Sequence, residues 1–323
     1  MWKRRLKIII FLVAGVVFIR LFAGQIIVAS QTTMEPNIKK GDILIINKLA
    51  YGSRLPVTCF SLPINSLYIP FTNWPSFVDW CRLPVMRLPG YTTPQRGDVV
   101  AFNYPNYHDL SIDLRPIQIS RIVALPGDTL SIEKKIVLIN GDTLFLPNPL
   151  LFHYRIELKN ATDTLPKSFL HHHLATITPT THDVLLTPAE ARRLKQTHIA
   201  KYIKPVSVWK SYGSFRCFPR SGFFNWNLDY FGPVAIPKRG DIIQLTEQNI
   251  DLYKRLITDF EGNTLYVDHI RHVIYINDKP ANYYRIKKNY YFVLDDNRSQ
   301  AKDSRFWGFL PEDHIVGKIA NAF

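Results

Sequence analysis

The chain has 323 residues, 46% of them hydrophobic and 20% charged, a composition that excludes a disordered or fibrous chain and, at this length, predicts two domains or one with a large insertion. The formal net charge of +14 favours an anionic partner surface, either nucleic acid or lipid. The basic residues are scattered rather than gathered in one run, so we expect no nucleic-acid partner.

The N-terminal segment is basic and then apolar. Four basic residues within positions 3–7 precede the apolar run Ile8–Ile19, which alone is too short for the hydrocarbon core, since that takes about 20 residues. Extended through Ala29, with Arg20 snorkelling to the headgroups, the segment is long enough. Its basic start places the N-terminus in the cytoplasm. A cleaved signal peptide fits the same pattern, so this segment alone leaves both alternatives open.

Beyond the apolar segment the sequence predicts mainly β structure. Asn140-Gly141 is a two-residue hairpin signal. One helix is expected after the capping box Thr187-Pro188-Ala189-Glu190, which has proline at the first helical position. Short β-branched runs bounded by Gly, Asn or Asp predict strands at 42–46, 98–102 and 136–139.

A weak internal repeat divides the chain. Residues 94–100 recur as 237–243, 121–123 as 255–257, 127–130 as 262–265 and 139–140 as 276–277. The order of the matches suggests a duplicated strand unit, although convergent hairpin chemistry could supply some of them. The segment between the copies, 146–231, is rich in Pro, His and Thr and predicts an inserted subdomain.

No metal site is expected. The cysteines, Cys59, Cys81 and Cys217, form no CxxC pair and show no His/Cys ligand spacing, which argues against zinc. Their odd number leaves at least one unpaired within the chain, and spacing does not settle whether Cys59 and Cys81 are bridged. The run His171–His173 is explained by a solvated loop.

Several short motifs follow the apolar segment in a fixed order. Their sequences are Thr33-Met34-Glu35-Pro36, Arg96-Gly97-Asp98, Ser120-Arg121-Ile122-Val123-Ala124-Leu125-Pro126-Gly127-Asp128, Asp295-Asp296-Asn297-Arg298 and Asp303-Ser304-Arg305-Phe306-Trp307-Gly308. Together they resemble the type I signal peptidase family, which carries Ser-Met-x-Pro, Arg-Gly-Asp, Lys-Arg-x-Val-Gly-Leu-Pro-Gly-Asp and Gly-Asp-Asn-Arg-Asp-Asn-Ser-x-Asp-Ser-Arg-x-Trp-Gly in that order. The resemblance covers about residues 1–145 and 232–323.

The resemblance implies a mainly β fold with a coiled antiparallel sheet core, one retained N-terminal transmembrane helix and an inserted α+β subdomain. The expected domains are a cytoplasmic tip and anchor at 1–29, a core at 30–145 and 232–323, and the insertion at 146–231. The family removes signal peptides from exported preproteins by endoproteolysis, without a cofactor. We therefore expect a single-pass protein of the cell (inner) membrane with its body on the extracytoplasmic side, in contact with membrane lipid and signal peptides.

The catalytic positions implied by the family are substituted here. Thr33 stands at the serine nucleophile, Ser120 at the lysine base and Ala301 at the serine that orients the lysine; Gln31 stands where a family serine often assists the oxyanion hole. If the motif assignments hold, Thr33, Ser120 and Ala301 should converge. The matching positions are expected to support the site: Met34, Pro36, Arg121, Asp296, Asn297, Arg298, Asp303, Ser304 and Arg305.

These substitutions bear directly on peptide cleavage. A hydroxyl nucleophile needs a base, and a buried lysine can serve when desolvation lowers its pKa, whereas the alcohol of Ser120 accepts no proton near neutral pH. Thr33 keeps a hydroxyl, but its β-methyl stiffens the side chain. Either Thr33 acts with another base, for which Lys254 and Lys302 are candidates, or the chain is a non-catalytic paralogue that binds exported chains or a partner protein. The chemistry favours the paralogue, and restoring Ser, Lys and Ser at positions 33, 120 and 301 is expected to recover cleavage.

Overall fold

The computed structural model describes residues 2–61, 67–69, 71–107, 109–146, 149–160, 162–166, 169, 173–213 and 216–322. His171 and His172 lie outside these residues. Within the described ranges, no group of three or more His, Cys, Asp or Glu side chains could hold a metal ion.

The described chain is mainly β, as predicted. Its helices are α1 (Trp2–Phe22), α2 (Pro188–Gln196), α3 (Ile250–Arg255) and α4 (Ser304–Trp307), with a π-helical turn at Leu256–Phe260 and 3-10 turns at Ile112–Leu114 and Glu312–His314. Its strands are β1 (Gly24–Val28), β2 (Ile43–Asn47), β3 (Thr58–Ser61), β4 (Phe77–Arg82), β5 (Val99–Asn103), β6 (Ile117–Ala124), β7 (Thr129–Glu133), β8 (Ile136–Ile139), β9 (Asp142–Thr143), β10 (Phe152–Leu158), β11 (His173–Thr178), β12 (Thr181–Leu186), β13 (Ala200–Pro205), β14 (Phe231–Ala235), β15 (Ile242–Gln244), β16 (Leu265–Asp268), β17 (Val273–Ile276), β18 (Lys279–Pro280), β19 (Tyr283–Arg285), β20 (Tyr290–Leu294), β21 (Leu310–Pro311) and β22 (Ile315–Ala322).

The main sheet is antiparallel and has seven strands in the order β1-β2-β22-β5-β6-β20-β21. Strand β2 alternates, with Leu44 and Ile46 fully buried and its other aliphatic residues exposed, because successive side chains point to opposite faces. Ile27 of β1 and Ile119 of β6 pack in one apolar cluster although three strands separate them. The sheet therefore curls, which confirms the predicted coiled core.

The predicted strands and hairpin are present. The runs at 42–46, 98–102 and 136–139 appear as β2, β5 and β8. Asn140 and Gly141 connect β8 to β9 with φ angles of 54° and 92°, the left-handed backbone that a two-residue hairpin of this kind requires.

The internal repeat holds in its turns and in two three-stranded meanders, β7-β8-β9 and β16-β17-β18. Asp98 accepts a hydrogen bond from the Gln95 amide (2.9 Å) as Asp241 does from the Lys238 amide (3.0 Å). Residues 121–123 lie in β6, however, whereas 255–257 end α3 and enter the π-helical turn. Apolar side chains in this second region are buried at helical spacing, at Ile250, Tyr253, Leu256, Ile257 and Phe260. The duplicated strand unit is therefore present in the two meanders, and only the match of residues 121–123 with 255–257 is wrong.

The segment between the repeat copies contains a small α+β unit. Strands β10–β13 form a separate sheet in the order β11-β12-β10-β13, and α2 begins with the predicted capping box. Thr187 Oγ1 accepts from the Glu190 amide (3.2 Å), and the Glu190 carboxylate accepts from the Thr187 amide (2.8 Å). The sheet and helix bury their own apolar cluster, which includes Ile156, Leu158, Val184, Leu186 and Leu194.

The N-terminal helix α1 buries none of its residues, and most of its apolar side chains are exposed, among them Ile9, Phe11 and Leu12. No helix in the described part of the chain is long and apolar enough to cross a membrane.

Two of the three cysteines are bonded. Cys59 of β3 and Cys81 of β4 form a disulfide with their Cα atoms 5.5 Å apart, and Cys217 is buried. The structure thus answers the pairing question that the spacing left open.

Candidate functional site

Strand pairing brings the motif segments together. Strands β6 and β20 are neighbours, with Val293 opposite Ile122 and Leu294 opposite Arg121. The loop that follows Leu294 therefore starts beside Ser120. The turn after β1, which contains Thr33, reaches the same loop through its backbone, because the Thr33 carbonyl oxygen accepts from the Asn297 amide at 2.9 Å.

Ser120 is paired with an acid. Its hydroxyl donates to Asp295 Oδ1 at 2.5 Å, and both residues are 2% exposed. The second oxygen of Asp295 accepts from the Lys302 amide at 2.8 Å. Burial and the nearby carboxylate of Asp303 raise the pKa of Asp295, since both disfavour a charged carboxylate. The base position therefore presents an alcohol and a buried acid.

A buried ion pair fastens the neighbouring residues. Arg121 donates to Asp296 through Nε (2.8 Å) and Nη2 (2.5 Å), and the side chains are 5% and 0% exposed. Asp296 Oδ2 also accepts from Asn37 Nδ2 at 2.8 Å, in the turn that carries Thr33. This bidentate geometry is the strong form of a charge-assisted hydrogen bond. It joins β6, the loop after β20 and the turn after β1.

Thr33 is 9% exposed. Among the residues that the structure describes, none hydrogen-bonds to its hydroxyl. Met34 is buried in the apolar cluster of β1 and β2, while Gln31 and Pro36 are half-buried in the same turn.

Neither candidate lysine supplies a base at the site. Lys302 directs its backbone amide to Asp295, but its side chain is exposed, and Lys254 is exposed on α3 rather than on a strand. Ala301 is half-buried next to Lys302, in the loop that is bonded to the Thr33 carbonyl oxygen and to the Ser120 hydroxyl.

The remaining motif residues form a buried scaffold. Asp303 accepts from the Asp295 amide (3.1 Å) and from Nε (3.0 Å) and Nη2 (2.8 Å) of Arg305. Ser304 Oγ accepts from the Val293 amide (3.1 Å). Arg305 also donates to the Arg298 carbonyl oxygen at 2.9 Å. These bonds hold the loop after β20 in one conformation.

Burial and the charge of Arg305 lower the pKa of Arg298 to about 10. Its Nη2 atom is buried without a hydrogen-bond partner in the described structure. Arg298 is thus the least satisfied member of the scaffold.

The insertion begins against this loop. Leu151 lies in a parallel bridge with Asn297: its amide donates to the Asp296 carbonyl oxygen and its carbonyl oxygen accepts from the Arg298 amide, both at 3.0 Å. The His153 amide donates to Ser299 Oγ at 2.8 Å. The first strand of the insertion is therefore part of the site's framework.

Sequence reasoning missed Asp295 and Leu151. The signal for Asp295 was present, because the sequence reads Asp-Asp-Asn-Arg where the resembling family has Gly-Asp-Asn-Arg. Its partner Ser120 is 175 positions away in the chain, so only the pairing of β6 with β20 shows what the extra carboxyl does. No sequence signal marked Leu151.

A cleft of about 640 Å³ lies between β1 and the first half of β6, lined by Ile27, Val28, Ser30 and Ile117 among others. In the described part of the chain β1 pairs with β2 alone. Strand β20 pairs with β6 only from Arg121 onward. Both strands therefore have an unpaired edge in the described structure: Ile27 and Val28 of β1 and Ile117 of β6 line the cleft, and the unpaired stretch of β6 continues from Ile117 to Ser120.

Comparison with known proteins places these features in one family. The family model described as signal peptidase, peptidase S26, matches residues 2–176 and 279–323, which is more than half of the chain. The matched ranges include the turn that carries Thr33, the strand that carries Ser120 and the loop that contains Asp295.

Individual relatives agree. The protein named signal peptidase I of Buchnera aphidicola subsp. Baizongia pistaciae is 23% identical over 94% of this chain and 71% of its own length. Its namesake in Aquifex aeolicus is 20% identical over 98% of this chain and 82% of its own length. That of Pseudomonas aeruginosa is 32% identical, over 34% of this chain and 28% of its own length. The chain belongs to the signal peptidase family, peptidase S26.

Proposed function

We propose that this protein binds the extended signal-peptide segment of exported preproteins in its cleft and does not cleave it. The observation that carries this proposal is the pairing of Ser120 with Asp295. This hydroxyl–carboxyl pair stands at the position where the family's chemistry needs a lysine amine.

The pairing leaves Thr33 without a base. A lysine carries its amine on a four-carbon stem, whereas the serine hydroxyl stands on a single methylene and is already donated to Asp295. Both oxygens of Asp295 already accept hydrogen bonds, one from the Ser120 hydroxyl in β6 and one from the Lys302 amide in the loop. Loss of the nucleophile or the base of a hydroxyl protease costs about 10⁶ in kcat, so we expect no measurable turnover.

The cleft keeps what peptide binding requires. An extended chain can add to an exposed strand edge through main-chain hydrogen bonds, with pockets selecting alternate side chains. The edges of β1 and β6 are both available in the cleft, and apolar residues such as Ile27 and Ile117 line it. This binding needs neither an amine nor a nucleophile.

We also propose that α1 is retained as a single membrane anchor with the N-terminus in the cytoplasm. The helix is exposed along its length and follows a basic start. Arg20 would snorkel to the headgroups. The disulfide between Cys59 and Cys81 is typical of an oxidising compartment, which supports a body outside the cytoplasm. N-terminal sequencing of membrane-derived protein tests the anchor, and a mature chain that begins near Gln31 in the soluble fraction would disprove it.

The function is tested by measuring binding and cleavage separately. Full-length protein in detergent is mixed with a fluorescent signal-peptide fragment, and anisotropy and gel analysis follow the same sample. We expect saturable binding without cleavage, unchanged by Thr33→Ala. Cleavage by wild type that Thr33→Ala abolishes would show that Thr33 is a working nucleophile and that the proposal is wrong.

A further inference from the structure

The charges of the cleft are strongly unbalanced. Among its described lining residues, Arg20, Lys48, Arg54 and Arg115 are basic and Asp113 alone is acidic. The carboxylate of Asp113 is engaged elsewhere, since it accepts from the backbone amides of residues 57 (3.0 Å) and 58 (2.8 Å) and from the Thr58 hydroxyl (3.0 Å).

Two of the cations are held by neutral oxygens. Lys48 Nζ donates to the Arg20 carbonyl oxygen at 2.8 Å. Arg54 donates to Asn103 Oδ1 (2.6 Å) and to the backbone carbonyl oxygen of Asp313 (2.8 Å). Among the described residues neither side chain forms an ion pair with a carboxylate. Both cations are thus held in place by neutral oxygens, with no carboxylate in contact with them in the described structure.

Arg115 extends the same pattern. Its Nε donates to the Leu110 carbonyl oxygen (3.0 Å), and its Nη1 lies 3.1 Å from Nε2 of the buried His314. Within the described chain it has no carboxylate partner either. Three cations therefore line one cleft, and none of them forms an ion pair with a carboxylate among the described residues, although the charge of Asp313 acts on Arg54 and Arg115 from a distance.

This arrangement is costly until an anion enters. Burial, Arg54 and Arg20 lower the pKa of Lys48 to about 8, and burial and Arg87 lower that of Arg54 to about 10. Like charges that are partly desolvated repel one another more strongly than in water. A carboxylate in the cleft would reduce that repulsion.

We infer that the cleft selects exported chains that carry an aspartate or glutamate within the bound segment. This inference rests on the proposed function, because it concerns the same cleft. A peptide fits better than an anionic lipid headgroup because the basic side chains share the cleft with the open edges of β1 and β6, and a headgroup has no amide backbone to pair with them.

The test compares two fluorescent peptides that differ only by glutamine in place of one glutamate. With the full-length protein in detergent we expect the glutamate peptide to bind about tenfold more tightly at low salt, which corresponds to about 1.4 kcal/mol. The preference should shrink as salt screens the charges. Arg115→Gln should reduce it severalfold, whereas Lys195→Gln, on the exposed face of α2, should leave it unchanged.

Equal binding of both peptides would overturn the inference and leave the proposed function standing, whereas no binding of either would overturn both. Salt dependence measured on wild type decides the matter if Arg115→Gln does not fold. Vesicles of phosphatidylglycerol provide the last arm. If Arg115→Gln weakens vesicle binding but not peptide binding, the cleft is a headgroup site and the inference is wrong.

Discussion

The two ends of the candidate site have opposite character. The cleft is open, lined by strand edges and by basic side chains such as Lys48 and Arg54. The other end is closed, and its aspartates, Asp295, Asp296 and Asp303, are at most 2% exposed and lie among the buried arginines Arg121, Arg298 and Arg305. Binding a chain relies on backbone edges and apolar burial, which tolerate substitution, whereas cleavage relies on one amine in one place. The architecture can therefore persist after the chemistry is gone.

The strongest test of this contrast is to rebuild the missing amine. The triple change Thr33→Ser, Ser120→Lys, Ala301→Ser would leave Asp295 beside the new lysine and hold its amine as an ammonium ion. A neighbouring carboxylate shifts such a pKa by 1–3 units. We therefore expect the triple variant to cleave poorly and the addition of Asp295→Gly to raise the rate by about 10- to 1000-fold.

Cleavage of a preprotein in detergent, followed on gels, measures this effect. Asp295→Gly alone is the control and should show no activity. The structure here modifies the sequence-based expectation, which required three changes. Equal rates for the triple and quadruple variants would mean that Asp295 does not keep the introduced lysine protonated.

Breaking the ion pair between Arg121 and Asp296 is expected to have the next largest effect. Asp296→Ala leaves Arg121 buried and uncompensated, and breaking such a pair costs about 3–5 kcal/mol in the free energy of unfolding. Glu157→Gln removes the partner of Lys201 in a pair whose lysine is 65% exposed, and should cost less than about 1 kcal/mol. Denaturant unfolding in detergent compares the two, and similar losses would contradict the assignment of Arg121 and Asp296 as the junction.

The smallest expected effect is the pH dependence that Asp295 gives to the free energy of unfolding. Because folding raises the pKa of Asp295, the folded state holds its proton more tightly than the unfolded state. This contribution to stability is complete below about pH 3.9 and is lost as pH rises through the raised value. Asp295→Asn does not titrate, so its free energy of unfolding relative to wild type should increase between pH 4 and neutrality by about 1–3 kcal/mol.

Unfolding curves at several pH values check this expectation, with Asp142→Asn in the exposed β8–β9 hairpin as the control. A flat difference between wild type and Asp295→Asn would show that the Asp295 carboxyl does not hold the shifted proton.

Local sequence signals predicted much of the fold. The hairpin at Asn140 and the helix cap at Thr187 depend on neighbouring residues only, so their residue types were sufficient. The bond between Cys59 and Cys81 depends on the pairing of β3 with β4, which spacing does not reveal. The same limit explains the error at Arg255, where a short match to Arg121 hid a helical pattern of buried side chains.

For the site, the motifs predicted which segments meet but not what closes them. The convergence of the segments carrying Thr33 and Ser120 follows from resemblance, because the family's fold brings those motifs together. The role of Asp295 follows from its side-chain contact with Ser120. The resembling family has glycine at this position, so the motif could not predict that contact.

The insertion has a further consequence for how this molecule can change. The amide and the carbonyl oxygen of Leu151 both form hydrogen bonds with the loop that contains Asn297. The start of the insertion is therefore attached to this loop. A truncation that removed the insertion from Leu151 onward would remove two backbone hydrogen bonds from the loop and loosen the position of Asp296. A deletion or replacement of the insertion that leaves the loop intact has to keep Leu151 and His153 and begin after them. The same bonds tie the shape of the insertion to that of the loop that contains Asp295.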